Sequence, residues 1–199
     1  MNLPNKISIT RICMIPVFVL IFFLDGVVPF AYGIAAIIFA VAAFTDFLDG
    51  HIARSRGRVT NLGKFLDPIA DKVLVATAMI VMLTMKESLF EKFGNGETAI
   101  YIATTISTCI ILARELIISA FRQIAAANGI VMAAEKLGKY KTCCQDVAIF
   151  VLIFSGSFNG AFGDVLAWIG LVLFAAATVL TVWSGIAYVV KNKQVLKDN

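Results

Sequence analysis

The chain has 199 residues, 60% of them hydrophobic and 15% charged, with a mean hydropathy of +0.90, whereas a soluble domain has about 45–50% apolar and about 25% charged residues. That composition excludes a water-soluble globule, a disordered regulator and a secreted disulfide scaffold, and it predicts an all-α, polytopic membrane protein. The formal net charge of +4 does not point to nucleic acid, because the basic residues lie between apolar runs and not on one polar surface.

Six apolar segments follow in chain order, near residues 8–25, 30–50, 66–86, 98–121, 142–158 and 163–190, each read as a transmembrane helix. Ahead of the first, Pro4 stands near a helix start and Lys6 and Arg11 are spaced for a membrane surface, which predicts a short N-terminal interfacial segment. No small-residue cleavage site follows the first run and Asp25-Gly26 reads as a turn, so a signal peptide is not expected. The fifth segment is short, and the sixth is long enough to tilt or to continue past the hydrocarbon.

The charges alternate with the segments. The connections near 25–30, 86–97 and 156–164 hold only Lys86 and Lys92 among basic residues, beside Asp25, Glu87, Glu91, Glu97 and Asp164. The opposite set holds Lys6, Arg11, Arg54, Arg56, Arg58, Lys64, Arg122, Lys136, Lys139, Lys141, Lys191, Lys193 and Lys197. The positive-inside rule then places both termini in the cytoplasm and requires an even number of spans. Residues 1–199 read as one integral membrane domain, without repeats or linkers.

Cys13, Cys109, Cys143 and Cys144 have neither zinc nor disulfide spacing. His51 is the one histidine, so a metal site here must be built mostly from oxygen ligands, which suits magnesium, manganese or calcium. The oxygen donors are conspicuous. Asp46 and Asp49 stand at i, i+3 near the cytoplasmic end of the second span, and Asp67 and Asp71 at i, i+4 at the start of the third. Each spacing sets two carboxylates on one helix face, and an antiparallel helix pair would gather all four.

Such a gathering needs compensation. An aspartate at the centre of a spanning helix costs about 2.5–3.5 kcal/mol on insertion scales, and two bare carboxylates ~4 Å apart repel by about 4 kcal/mol at an effective dielectric of 20. One or two hard divalent ions satisfy that requirement, and two ions on shared carboxylates suit a phosphoryl-type displacement. Gly50, Ala53 and Gly63 leave room for a ligand beside the carboxylates, and Arg54 offers a forked donor for phosphate.

The pattern Asp46-x-x-Asp49-Gly50-x-x-Ala53-Arg54, eight residues, Gly63-x-x-x-Asp67-x-x-x-Asp71 resembles the signature of the CDP-alcohol phosphotransferases, with every motif position filled. The opening Asn2 to Lys6 with Thr10-Arg11, the block Leu62 to Lys72, the run Ala113-Arg114-Glu115 to Arg122 and the stretch Gly138 to Thr142 are similar to the branch whose acceptor is sn-glycerol 3-phosphate. The resemblance implies transfer of a phosphatidyl group from CDP-diacylglycerol to that acceptor, with release of CMP. It implies the family's six-helix fold, usually as a homodimer in the cell's inner (cytoplasmic) membrane, with a polar cavity open to the cytoplasm. It also implies that Asp46, Asp49, Asp67 and Asp71 hold magnesium or manganese as two ions. Asp71 would be the base, and Asp46, Gly50, Ala53 and Arg54 would line the CDP site.

Arg114 and Arg122 are eight apart and so share a face of the fourth span. With Lys139 and Lys141 they are the candidates to surround the acceptor's phosphate, although Arg114 is equally open to an ion pair with Glu115 or with one of the aspartates. Two other readings remain: a member of the same family with another acceptor, such as a cardiolipin synthase using phosphatidylglycerol, and, from a different class, a divalent-cation transporter lined by the aspartates.

Overall fold

The structure, a computed structural model, describes the backbone of residues 3–56, 61–127 and 136–192, and the side chains of residues 9–45, 69–125 and 138–192. Six helices follow one another: α1 (Leu3–Phe22), α2 (Ala31–Arg56), α3 (Asn61–Met82), α4 (Glu97–Ala127), α5 (Lys136–Ser155) and α6 (Ala161–Lys191). No strand occurs among the described residues. The shortest two have 20 residues, about 30 Å at 1.5 Å per residue, which is the thickness of a bilayer's hydrocarbon.

By length and apolar composition together, two described stretches are long enough to cross a membrane, Phe90–Ala125 and Ala161–Lys191, and Ile9–Phe22 and Ala31–Thr45 are shorter apolar helices. Every helix nonetheless turns large apolar side chains outward, among them Leu20, Val41, Ile80, Ile117, Val147 and Val179. Such an exterior is matched to hydrocarbon, not to water.

Inside, Phe18, Phe22, Phe39, Leu74, Met79, Ile149, Leu152 and Phe174 form a continuous core. α1 lies against α2 and α3, α2 also packs on α5, and α4 packs on α6. The α5–α6 pair is the most intimate, because Gly170 lets the backbones approach: a Cβ there would fall 2.7 Å from Leu152 Cγ and 3.1 Å from Leu152 N.

The end away from the motif is closed by side chains from three connections. A 3₁₀ segment, Phe90–Gly96, buries Phe90 and Phe93. Lys92 Nζ donates to the Phe158 carbonyl at 2.6 Å and lies 4.0 Å from Asp164 Oδ1, so it ties this segment to the start of α6. Phe30 and Phe158 meet edge to face at 5.5 Å, and Phe158 meets Phe162 at 5.0 Å.

From Leu3 onward the N-terminal residues run into the first span as one helix, α1 (Leu3–Phe22). Two expectations change. Arg11 is not a surface cation but is fully buried. The fifth helix is longer than its apolar run, because it begins at Lys136, six residues ahead of that run. Pro68, which the sequence leaves open between a first turn and a kink, falls inside α3, which begins at Asn61; it removes one intrahelical hydrogen bond.

Candidate active site

One helix, α2, carries Asp46, Asp49, Gly50, Ala53 and Arg54 in its last three turns, and α3 carries Asp67 and Asp71 in its first three. The two are consecutive, antiparallel and in contact. Both aspartate spacings are therefore helical, as the sequence requires, and both helix faces are at the same end of the bundle. Asp71 is half-buried. The side chains of Asp46, Asp49, Gly50, Ala53, Arg54 and Asp67 lie outside the described residues. Among the described residues no group of three or more His, Cys, Asp or Glu could hold a metal ion. The donor set that the two helices carry is all carboxylate, a chemistry that fits a hard divalent cation and excludes a soft one.

Arg11 of α1 reaches this region from below. Its Nε donates to the Ala42 carbonyl at 3.2 Å, and in a helix that carbonyl points toward residue 46. A buried guanidinium thus sits against α2 at Ala42, four residues ahead of Asp46 in sequence. Its charge looks like a topology signal in the sequence; its use as an interior cation depends on the α1–α2 contact.

The candidate acceptor residues are on α4 and α5. Arg114 Nη1 donates to Glu115 Oε1 at 3.2 Å and its Nη2 to Ser184 Oγ of α6 at 2.9 Å. Its stem passes over Gly185, where a Cβ would come within 3.1 Å of Arg114 Cγ. Arg122 Nε donates to the Tyr188 hydroxyl at 3.1 Å, and its guanidinium lies 5.2 Å from that ring's centroid. Ser184 and Tyr188 are four residues apart on α6, so both arginines address one face of that helix, as their eight-residue spacing predicts.

Lys139 and Lys141 part company. Two residues apart on α5, they are about 200° apart around the axis; Lys139 is exposed, whereas Lys141 is buried and donates through Nζ to Glu115 Oε1. Arg114 and Lys141 therefore share one carboxylate oxygen. Lys72, next to Asp71 on α3, donates to Ser119 Oγ of α4. The structure thus brings Arg114 and Lys141 together at Glu115, puts Arg122 on the same side against Tyr188, and turns Lys139 outward. The Arg114–Glu115 ion pair is one that the sequence offers; the parts played by Ser184, Tyr188 and the Lys141 contact to Glu115 escape it, because a partner on another helix leaves no local spacing.

The fold and this polar end belong to a known class. A family model described as CDP-alcohol phosphatidyltransferase matches residues 1–183, and the chain is a member of that family. It is 35% identical over 212 aligned residues to the CDP-diacylglycerol–glycerol-3-phosphate 3-phosphatidyltransferase of Bacillus subtilis (strain 168), covering 100% of this chain and 98% of the relative. It is 37% identical over 200 residues to the protein of the same name from Escherichia coli (strain K12), covering 99% of this chain and 98% of the relative. The apolar helices and the family together make it a membrane protein.

Proposed function

We propose that the protein transfers the phosphatidyl group of CDP-diacylglycerol to sn-glycerol 3-phosphate, giving phosphatidylglycerophosphate and CMP. The observation that carries this reading is the pairing of a complete aspartate motif on two packed helices with a cationic cluster on the neighbouring α4 and α5. Relatives of nearly the same length, named for this reaction, support it.

In this scheme the acceptor's primary hydroxyl attacks the phosphorus that bears the diacylglycerol. Asp71 takes the hydroxyl proton, the bond from that phosphorus to the bridging oxygen breaks, and CMP leaves with the oxygen. Arg54 holds the diphosphate, with Gly50 and Ala53 leaving space for it and Asp46 beside it. Arg114, Arg122 and Lys141 hold the acceptor's phosphate, and Lys139, which faces away from Lys141 around α5, is left out of that set. Asp46, Asp49, Asp67 and Asp71 would bind magnesium or manganese as two ions, which neutralise the diphosphate and the departing CMP when bound. The acyl chains remain in the bilayer.

The same reading makes all six helices transmembrane in the inner membrane, with both termini and the site facing the cytoplasm. It takes residues 1–199 as a single catalytic domain that works as a homodimer. The buried cations Arg11 and Lys141 weigh against a divalent-cation pathway, which they would repel. The phosphomonoester of glycerol 3-phosphate, with its higher charge, makes fuller use of the cationic cluster than the singly charged phosphodiester of a phosphatidylglycerol acceptor. The test is a competition in detergent micelles containing CDP-diacylglycerol and magnesium, with glycerol 3-phosphate, phosphatidylglycerol and inositol phosphate offered in parallel. Phosphatidylglycerophosphate is the expected product; cardiolipin as the main product would refute the acceptor assignment.

A further inference from the structure

Glu115 has no part in the chemistry above, yet it is the hub of the cationic cluster. Its Oε1 accepts from Lys141 Nζ of α5 and from Arg114 Nη1 at 3.2 Å. Arg114 is pinned at its other amino group by Ser184 of α6. One turn on, Lys72 of α3 donates to Ser119 Oγ, which in turn donates to the Glu115 carbonyl at 2.5 Å. Four helices are joined at this turn of α4.

The burial of these groups is uneven. The Lys141 side chain is 3% exposed and that of Arg114 17%, while Glu115 keeps 28% of its side chain open. A polar head that far from water needs a hydrogen-bonding partner, and Glu115 is that partner for the Lys141 amine. Two cations converging on one oxygen atom would separate without it.

Resting on the acceptor site proposed above, we infer that Glu115 is its positioning residue: the carboxylate holds Lys141 beside Arg114, so that the two side chains stand assembled for the acceptor's phosphate. The idea makes a counterintuitive statement about sign. Removing an anion from a phosphate site should tighten phosphate binding if net charge alone governs it, whereas loss of positioning should weaken it.

Glu115→Gln, which keeps the shape and removes the charge, is the decisive variant. Its KM for glycerol 3-phosphate should rise about tenfold, the cost of roughly one charge-assisted hydrogen bond, with the KM for CDP-diacylglycerol and the thermal midpoint close to wild type. In a Lys141→Met background, Glu115→Gln should add little further loss, because the lysine it positions is already gone. An acceptor KM that falls or stays unchanged overturns the inference. So does a parallel rise in both KM values with a lowered thermal midpoint, which marks a merely structural ion pair. If Glu115→Gln does not fold, Glu115→Asp, which keeps the charge on a shorter stem, must show the acceptor-selective rise, and its failure to do so is equally fatal. Wild-type protein run alongside separates the two levels: no phosphatidylglycerophosphate from glycerol 3-phosphate in that arm refutes the proposed function itself.

Discussion

Tyr188→Phe deletes a single oxygen from the interface between α4 and α6 and leaves the ring in place. The phenol is buried at 3% exposure, its ring meets Phe121 at 6.1 Å, and its hydroxyl accepts from Arg122 Nε at 3.1 Å. A hydrogen bond to a charged group is worth about 1.5–3 kcal/mol, but Arg122 is exposed and water replaces part of the lost contact. That leaves about 1 kcal/mol for the variant. The ring still carries its cation–π contact, and no cavity opens. If Arg122 holds the acceptor's phosphate, loosening it should raise the KM for glycerol 3-phosphate about fivefold, with turnover and the KM for CDP-diacylglycerol little changed. Incorporation of radiolabelled glycerol 3-phosphate into lipid, with each substrate varied in turn, measures both constants. Equal shifts in the two KM values would refute the reasoning, as would an unchanged acceptor KM in a background where Arg122→Ala raises it.

Asp71→Asn should lower turnover by a factor of about 10² to 10⁴, the usual contribution of a general base, while gel filtration still shows folded protein; substantial residual turnover would remove Asp71 as the base. Chelation by EDTA should abolish CMP release, and magnesium or manganese should restore it; activity that persists in the chelator contradicts the metal assignment. Gly170→Ala should cost about 1–3 kcal/mol through overpacking, because its Cβ meets Leu152 at 2.7 Å. That change should lower the thermal midpoint and leave both KM values alone.

The parts of the fold that were legible in the sequence are those with local signals. Helical spacing of Asp46 with Asp49 and of Asp67 with Asp71 needs only the period of one helix, and α2 and α3 carry them so. The start of α5 was not legible from hydropathy, which marks where apolar residues begin, whereas backbone hydrogen bonding already begins at Lys136. That difference decides how two lysines are read. In a loop, Lys139 and Lys141 belong to one patch; on a helix they face apart, one exposed and one buried. Arg11 shows the same limit from the other side, since a charge near a terminus looks superficial until α1 packs on α2 and the Ala42 carbonyl becomes its acceptor. Phe90 and Phe93 are likewise core residues inside a connection, held there by tertiary contacts that no short window of sequence encodes.

The outward apolar faces of the helices have a kinetic consequence. A protein clothed in hydrocarbon meets a two-tailed donor by lateral diffusion within the same sheet or micelle, so for that substrate the governing variable is mole fraction in the surface, while the water-soluble acceptor is counted in bulk molarity. Adding detergent at fixed total CDP-diacylglycerol thins the donor and slows the reaction without altering what the acceptor site experiences. The two substrates can therefore be titrated along independent axes, one two-dimensional and one three-dimensional.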